Sequence, residues 1–367
     1  MSARILFILK QRQHGPYGSW NHSHDGKPLT SGLSVSATQM AFALDELGIA
    51  NKLIQVVDNN CIDREVTSYR PTHVIIEAFW VVPEKFDVLR KLHPNVKWII
   101  RNHSKSDFLS HEGGMVGWAI DYVSKGITLA CNSPEATADF KRLAISVGAD
   151  PKHVIYLPNF YHASVPTFSR RCTRVWKLLR KIGISGGELD DKAKGTLRVG
   201  CFGAIRPLKN HLHQAMAAIE AASALQLTLE FHINGNRVEG KADSILTSMR
   251  QLFKRYPQHK LVELGWMDHT AFTAEVGSMD IVMQVSNSET FNIVAADAVS
   301  MGVPVLVSAE IPWLGGEYHA NPNDVKDISH KLIHLWLNGG NGQIQADQLW
   351  SLRDYAEESK ARWGVFL

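Results

Sequence analysis

The chain reads as an α/β protein made of two doubly wound, parallel-sheet domains in tandem. Three observations carry that expectation. Short apolar runs rich in β-branched residues alternate with longer helical patterns. The alternation occurs twice, and a stretch of different composition separates the two series. At 367 residues there is room for two domains.

The first series of strands is expected at Ile5–Leu9, Leu53–Val57, His73–Phe79, Trp98–Asn102, Thr128–Cys131 and Val154–Leu157. Their apolar residues run on rather than alternate, as in strands covered on both faces. Helical patterns lie between them at Ser34–Leu47, Pro83–Leu92 and Pro134–Ser146. The second series is expected at Leu197–Phe202, Thr228–Ile233, Leu261–Leu264, Ile281–Val285 and Val303–Val307, with a last helix over Ile344–Arg362. The expected layout is a first domain over 1–159, a basic linker over 160–196, a second domain over 197–343 and a C-terminal helix over 344–367. Parallel sheets bind ligands at the carboxyl ends of their strands, so a cleft between two such edges is expected to hold the ligand.

Composition narrows the class. Hydrophobic residues make up 45% and charged residues 20%, which are globular values. A formal charge of +3 creates no global field for nucleic acid. Cys61, Cys131, Cys172 and Cys201 have no metal or disulfide spacing, which points to a reduced, cytoplasmic protein without a metal. The opening MSARILFILK reads as a buried strand rather than a signal peptide, and no run reaches transmembrane length.

Chemistry concentrates in the second half. Ser288–Ser308, SETFNIVAADAVSMGVPVLVS, reads as a polar turn, a helix and a short buried strand. Ala295, Ala296 and Ala298 let the helix approach a sheet, and Gly302 and Pro304 close it. Amides of Thr290, Phe291, Asn292 and Ile293 are expected at the helix start, where unbonded N–H groups and the helix dipole favour a phosphate. Two acids, Glu289 and Asp297, suit the hydroxyls of a sugar or a ribose. The competing reading is a plain strand–helix–strand unit. Upstream, Leu197–Ser223 reads as a strand running to Gly203, a polar loop and a helix from near Asn210. Arg206 and Lys209 put two cations on that loop, where they suit a leaving diphosphate. A solvated basic turn is the alternative.

Together these stretches resemble the signature of retaining, nucleotide-sugar-dependent glycosyltransferases of family 4. That family carries Glu, seven residues, then Glu; here the second acid is Asp297, and its usual Gly-Phe-Gly is Thr290-Phe291-Asn292. The resemblance implies a GT-B fold of two Rossmann-like domains, retention of configuration, a UDP-sugar donor and no obligatory cofactor. It implies that Gly203, Arg206, Lys209, Gly32 and the amides of Thr290, Phe291, Asn292 and Ile293 bind the diphosphate. Glu289 would act at the donor sugar, Asp297 would accept from the ribose, and backbone near Trp266 and Met267 would meet the base. His103, after the strand VKWIIRN, would point at the donor sugar as the second catalytic residue.

The acceptor is expected on the first domain. The loop after the first strand carries Tyr17 and Trp20, which can stack on a sugar or a base, and His22 and His24, which read as ordinary loop residues. From Pro151 to Gly187 there is no Asp or Glu, while Arg170, Arg171, Arg174, Lys177, Arg180 and Lys181 fall close together. An interdomain helix with a solvated basic face, phosphate contact and membrane contact all fit this pattern. Val56–Val66 and Glu77–Lys105 resemble glycosyltransferases encoded by large tailed bacteriophages, some of which glycosylate hydroxymethylated pyrimidines in DNA. That makes double-stranded DNA carrying 5-hydroxymethylcytosine the first-choice acceptor partner. Transfer to a lipid-linked or polysaccharide glycan, a sugar-nucleotide epimerase and a non-catalytic sugar-nucleotide binder remain the alternatives.

Overall fold

The computed structural model describes residues 2–11, 31–111, 113–163, 195–265 and 267–367. Contacts divide the chain into two compact units, Met1–His162 with Asp354–Leu367, and Ala163–Arg353.

The first unit holds a six-stranded sheet in the order β2-β1-β3-β4-β5-β6. Its strands are β1 (Arg4–Lys10), β2 (Ala50–Val56), β3 (His73–Glu77), β4 (Lys97–Asn102), β5 (Thr128–Cys131) and β6 (Val154–Tyr156). All pairings are parallel. Side chains alternate across the sheet, so each strand serves two cores. Leu6 and Ile8 of β1 join Val74, Ile76 and Ile100 on one face, under Phe86, Tyr122 and Phe140. Ile5 and Phe7 join Ile75 and Ile99 on the other, under Met40, Leu44 and Trp363. The helices are α1 (Gly32–Glu46), α2 (Ile62–Tyr69), α3 (Lys85–Leu92), α4 (Ser106–Leu109), α5 (Met115–Ser124) and α6 (Pro134–Ser146).

The second unit holds a five-stranded sheet in the order β11-β10-β7-β8-β9. Its parallel strands are β7 (Thr196–Gly200), β8 (Thr228–Ile233), β9 (Lys260–Glu263), β10 (Ile281–Gln284) and β11 (Val305–Val307). Helices α7 (His211–Ala224), α8 (Asp243–Arg255), α9 (His269–Val276), α10 (Ile293–Ser300) and α11 (Val325–Asn338) follow in turn, and α12 (Gln343–Phe366) ends the chain. Buried alanines at 215, 217, 218, 221 and 222 give α7 the flat surface that close packing needs. Edge strand β11 is covered by a side chain: Gln348 donates to the Val305 carbonyl at 2.8 Å and accepts from its N–H at 2.9 Å. A carboxamide there does the work of a missing neighbouring strand.

All eleven expected strands are present; β5 and β8 have the expected ends, and the other nine differ at one end or both. β3 stops at Glu77 instead of Phe79 because Ala78 turns to φ +66°. β7 stops at Gly200, before Gly203 at φ +105°. Helix α1 starts at Gly32, two residues early, because Ser31 and Ser34 cap each other's backbone N–H.

Candidate functional site

In the second sheet the strand order reverses between β7 and β10. A parallel sheet opens a crevice at that switch point, beyond the carboxyl ends of its strands. The two loops that leave there carry the expected donor residues. Asn210, left-handed at φ 57°, caps the turn after β7 and donates to the carbonyls of Val285 (3.1 Å) and Pro322 (2.8 Å). Gln214 accepts from Val285 N–H at 2.9 Å and donates to the Lys209 carbonyl at 2.8 Å. The Asn287 N–H donates to the Leu208 carbonyl at 2.8 Å. These bonds clamp the post-β7 loop to the post-β10 loop, and the result is an ion pair between Lys209 and Glu289. Their side chains are only 20% and 10% exposed, so the pair is largely withdrawn from water.

Arg206 is also paired. Its Nε donates to Glu239 at 2.7 Å, and Arg237 donates to the other oxygen of the same carboxylate. Burial opposes ionisation of Glu239, but the two guanidinium groups outweigh it and hold the carboxyl below its usual range. Two arginines on one carboxylate leave the cluster net positive. Gly203 sits beside this loop with its N–H on the Asn234 side chain at 2.9 Å, and its positive φ is a conformation that glycine adopts freely.

At the other loop, Asn292 has φ +63°. Its side-chain oxygen caps the Ala295 N–H at 2.9 Å, and its amide donates to Gln284 at 2.9 Å. Gln284 in turn donates to the Phe202 carbonyl at 3.1 Å, tying the start of α10 back to the post-β7 turn. Helix α10 begins at Ile293, so Thr290 and Phe291 precede it. The Phe291 ring is buried against Trp313, whose indole N–H donates to the Phe291 carbonyl at 2.7 Å. Only the Phe291 backbone is therefore suited to a ligand. Asp297 is 1% exposed and meets His269 Nε2 at 2.9 Å. The hydrogen bond that His269 donates to Asp297 raises the His269 pKa above its ordinary value. At one third exposed, His269 is the more accessible member of that pair. Met267 is half-buried on the loop before α9.

In the first sheet the order reverses between β1 and β3, and His103 lies just past β4. His103 Nε2 is 2.6 Å from Glu77 Oε2. Arg101 donates to Glu77 Oε1 at 2.9 Å and to Asn159 Oδ1 at 2.7 Å. Glu77 and Arg101 are wholly buried. Burial is the largest influence on both titrating groups. It pushes Glu77 up, yet Arg101 and His103 outweigh it and the carboxyl lies below its usual range. It pushes His103 down, and Glu77 only partly offsets this. Gly32 occupies the first turn of α1, where a Cβ would meet nothing within 4 Å; no packing demands a glycine there.

Tyr17, Trp20, Trp266, Arg170, Arg171, Arg174 and Lys177 lie outside the described residues. Arg237, Glu239, His269 and Glu77 were not singled out from sequence, although Glu239, His269 and Glu77 each bond to a residue that was, and Arg237 bonds to Glu239. Among the described residues no group of three His, Cys, Asp or Glu is placed to hold a metal ion. Among those residues, too, no helix is long and apolar enough to cross a membrane.

The model of the family described as family 4 glycosyltransferases in conflict systems matches residues 162–311, which carry Arg206, Lys209, Glu289 and Asp297. Among curated proteins none matches the sequence. Solved structures do. Sucrose-phosphate synthase from Thermosynechococcus elongatus is similar at 13% identity and a TM-score of 0.63, over 99% of this chain and 98% of that one. The Anabaena protein HepE in complex with UDP-glucose is similar at 13% identity and a TM-score of 0.62, over 99% and 100%. The UDP-forming α,α-trehalose-phosphate synthase from Burkholderia vietnamiensis is similar at 9% identity and a TM-score of 0.58, over 100% and 96%. At such identities the likeness shows the fold: two parallel-sheet α/β domains of the GT-B type.

Proposed function

We propose that the chain is a glycosyltransferase that takes a sugar from a UDP-sugar and moves it, with retention, to a hydroxyl acceptor. The observation that carries this reading is the Lys209–Glu289 pair at the switch point of the second sheet, flanked by the Arg206–Glu239–Arg237 cluster. A diphosphate leaving group develops negative charge, and preorganised cations in a partly dry site stabilise it best. The match of the family 4 model to the same residues supports the assignment, as does the binding of UDP-glucose by HepE.

In this reading Lys209 and Arg206 hold the diphosphate, and the backbone from Thr290 to Ile293 adds to them. Lys209 also fixes the carboxylate of Glu289, which acts at the donor sugar. Asp297, with His269, takes the ribose, and Met267 lies on the loop that meets the base. His103 is the second residue that acts at the sugar. The bond from the anomeric carbon to the β-phosphate oxygen breaks as the bond to the acceptor oxygen forms. The acceptor proton passes to the leaving phosphate. The acceptor we favour is the hydroxymethyl group of a modified pyrimidine in DNA, supported by the acid-free basic stretch between Pro151 and Gly187.

Calorimetric titration with UDP, GDP and ADP tests the donor half of the proposal. UDP is expected to bind the wild-type protein and to bind Arg206→Ala at least tenfold more weakly. Equal binding by the variant would remove Arg206 from the site. Failure of all three nucleotides to bind at millimolar concentration would remove the proposal itself.

A further inference from the structure

We infer that Glu77 is a positioning residue for His103, holding the imidazole in one orientation and in the tautomer protonated at Nε2. The inference rests on the reading of His103 as a residue of the transfer reaction, and it names what sets that residue's state.

Three features lead to it. First, Glu77 closes β3 and Arg101 lies opposite it in register on β4. The left-handed Ala78 immediately after Glu77 bonds its N–H to the Arg101 carbonyl at 3.0 Å, which locks the two positions together. A non-glycine residue at φ +66° is strained, and such strain persists where the surroundings over-determine it.

Second, Glu77 divides its oxygens. Oε1 takes Arg101, and Oε2 takes His103 at 2.6 Å. A carboxylate only accepts and a guanidinium only donates, so the ring nitrogen facing Oε2 must carry the proton. Arg101 supplies the charge that keeps the buried acid ionised.

Third, Arg101 is itself held from two more sides. Asn159 accepts from it at 2.7 Å, and the Trp363 ring lies 5.3 Å from its guanidinium carbon. The Trp363 indole N–H donates to the Pro158 carbonyl at 2.9 Å, fixing the ring. A fully buried ion pair is weak support for stability, because a hydrophobic pair of similar volume does as well. Its place at the carboxyl edge of the sheet, one hydrogen bond from His103, is where a positioning pair would act.

The test follows from the donor and acceptor inventory. Glu77→Gln leaves one oxygen and one NH₂ at the end of the side chain. Arg101 can only donate, so it takes the oxygen. The NH₂ then faces Nε2, which must become an acceptor, and the His103 proton moves to Nδ1. Multiple-bond ¹H–¹⁵N NMR at pH 7, assigned with His103→Ala, reads the tautomer directly. We expect Nε2–H in the wild type and Nδ1–H in Glu77→Gln. We also expect kcat to fall at least tenfold in Glu77→Gln while the donor KM stays within about twofold. A wild-type Nδ1–H tautomer would overturn the inference, as would a folded Glu77→Gln with an unchanged tautomer or an unchanged kcat. If the variant does not fold, the wild-type spectrum alone decides. Full activity in His103→Ala would instead reject the role of His103 while leaving the tautomer assignment standing, so the two failures are told apart.

Discussion

Removing the Lys209 charge perturbs two quantities at once, and the structure bounds both. Lys209→Met keeps most of the side-chain volume but leaves Glu289 without its cation. Exposed ion pairs contribute about 0.2–1 kcal/mol, whereas removing one partner of a fully buried pair costs about 3–5 kcal/mol. With side chains 20% and 10% exposed, this pair lies nearer the buried limit, so a loss of about 2–3 kcal/mol of folding stability is expected. Glu289→Gln should cost less, since a neutral amide can still accept from Lys209. The double variant should cost less than the sum of the singles, with a coupling energy of about 1–2 kcal/mol. Urea unfolding of the four proteins measures this cycle. Turnover should respond more strongly. Loss of one preorganised charge is worth about 2–4 kcal/mol of transition-state stabilisation, or roughly 30- to 1,000-fold in kcat/KM. Additive stabilities together with wild-type turnover in Lys209→Met would refute the reasoning, because the pair would then join neither the two loops nor the site.

Other expectations follow from single features. Asn292 at φ +63° caps Ala295, so Asn292→Ala should lose the cap and add backbone strain, about 2–3 kcal/mol in all, whereas Asn292→Gly should lose about 1 kcal/mol; thermal unfolding checks the order. His269 has its pKa raised by Asp297, so its contribution to stability is fully present below pH 6.5 and is lost as pH rises through the folded value; Asp297→Asn should remove that dependence in a pH series of urea midpoints. Burial, reinforced by Lys209, pushes His211 down to about 3, and burial with Lys97 pushes His73 down to about 4. Both pairs of values predict the opposite sign: stability is full above pH 6.5 and falls as pH drops below it, by about 1.4 kcal/mol per pH unit for each group. His211→Asn should flatten that acid limb.

The sheets were legible because parallel strands buried on both faces leave continuous apolar runs, as ILFIL in β1 and VII in β3 show. The start of α6 was legible from its cap, Ser133–Pro134, whereas the Ser31 cap of α1 puts its start at Gly32, two residues before the expected Ser34. The departure at Asn292 was visible as a mismatch to the resembling family's glycine, and its physical basis is now plain: the position is left-handed, and Asn is the side chain that best tolerates that region. Partnerships made across the fold left no local trace. Arg237 and Glu239 come from the loop after β8, and only the parallel pairing of β7 with β8 brings them to Arg206. Glu77 and His103 are separated by a helix and a strand, and ordinary spacing rules do not connect them. His269 reaches Asp297 from the start of another helix. Buried polar pairs of this kind are set by topology, which periodicity alone does not encode.

The central claim is transfer from a nucleotide sugar, and mass spectrometry tests it most directly. The protein would be incubated with a panel of UDP-sugars and duplex DNA containing 5-hydroxymethylcytosine, with lipid-linked and glycan acceptors in parallel. The account predicts free UDP and an acceptor heavier by one glycosyl unit, both lost in the Arg206→Ala/Lys209→Met double variant. Modification of a glycan alone would move the acceptor and keep the reaction. An isomerised sugar nucleotide without transfer, or a donor left unchanged with every acceptor, would contradict the account.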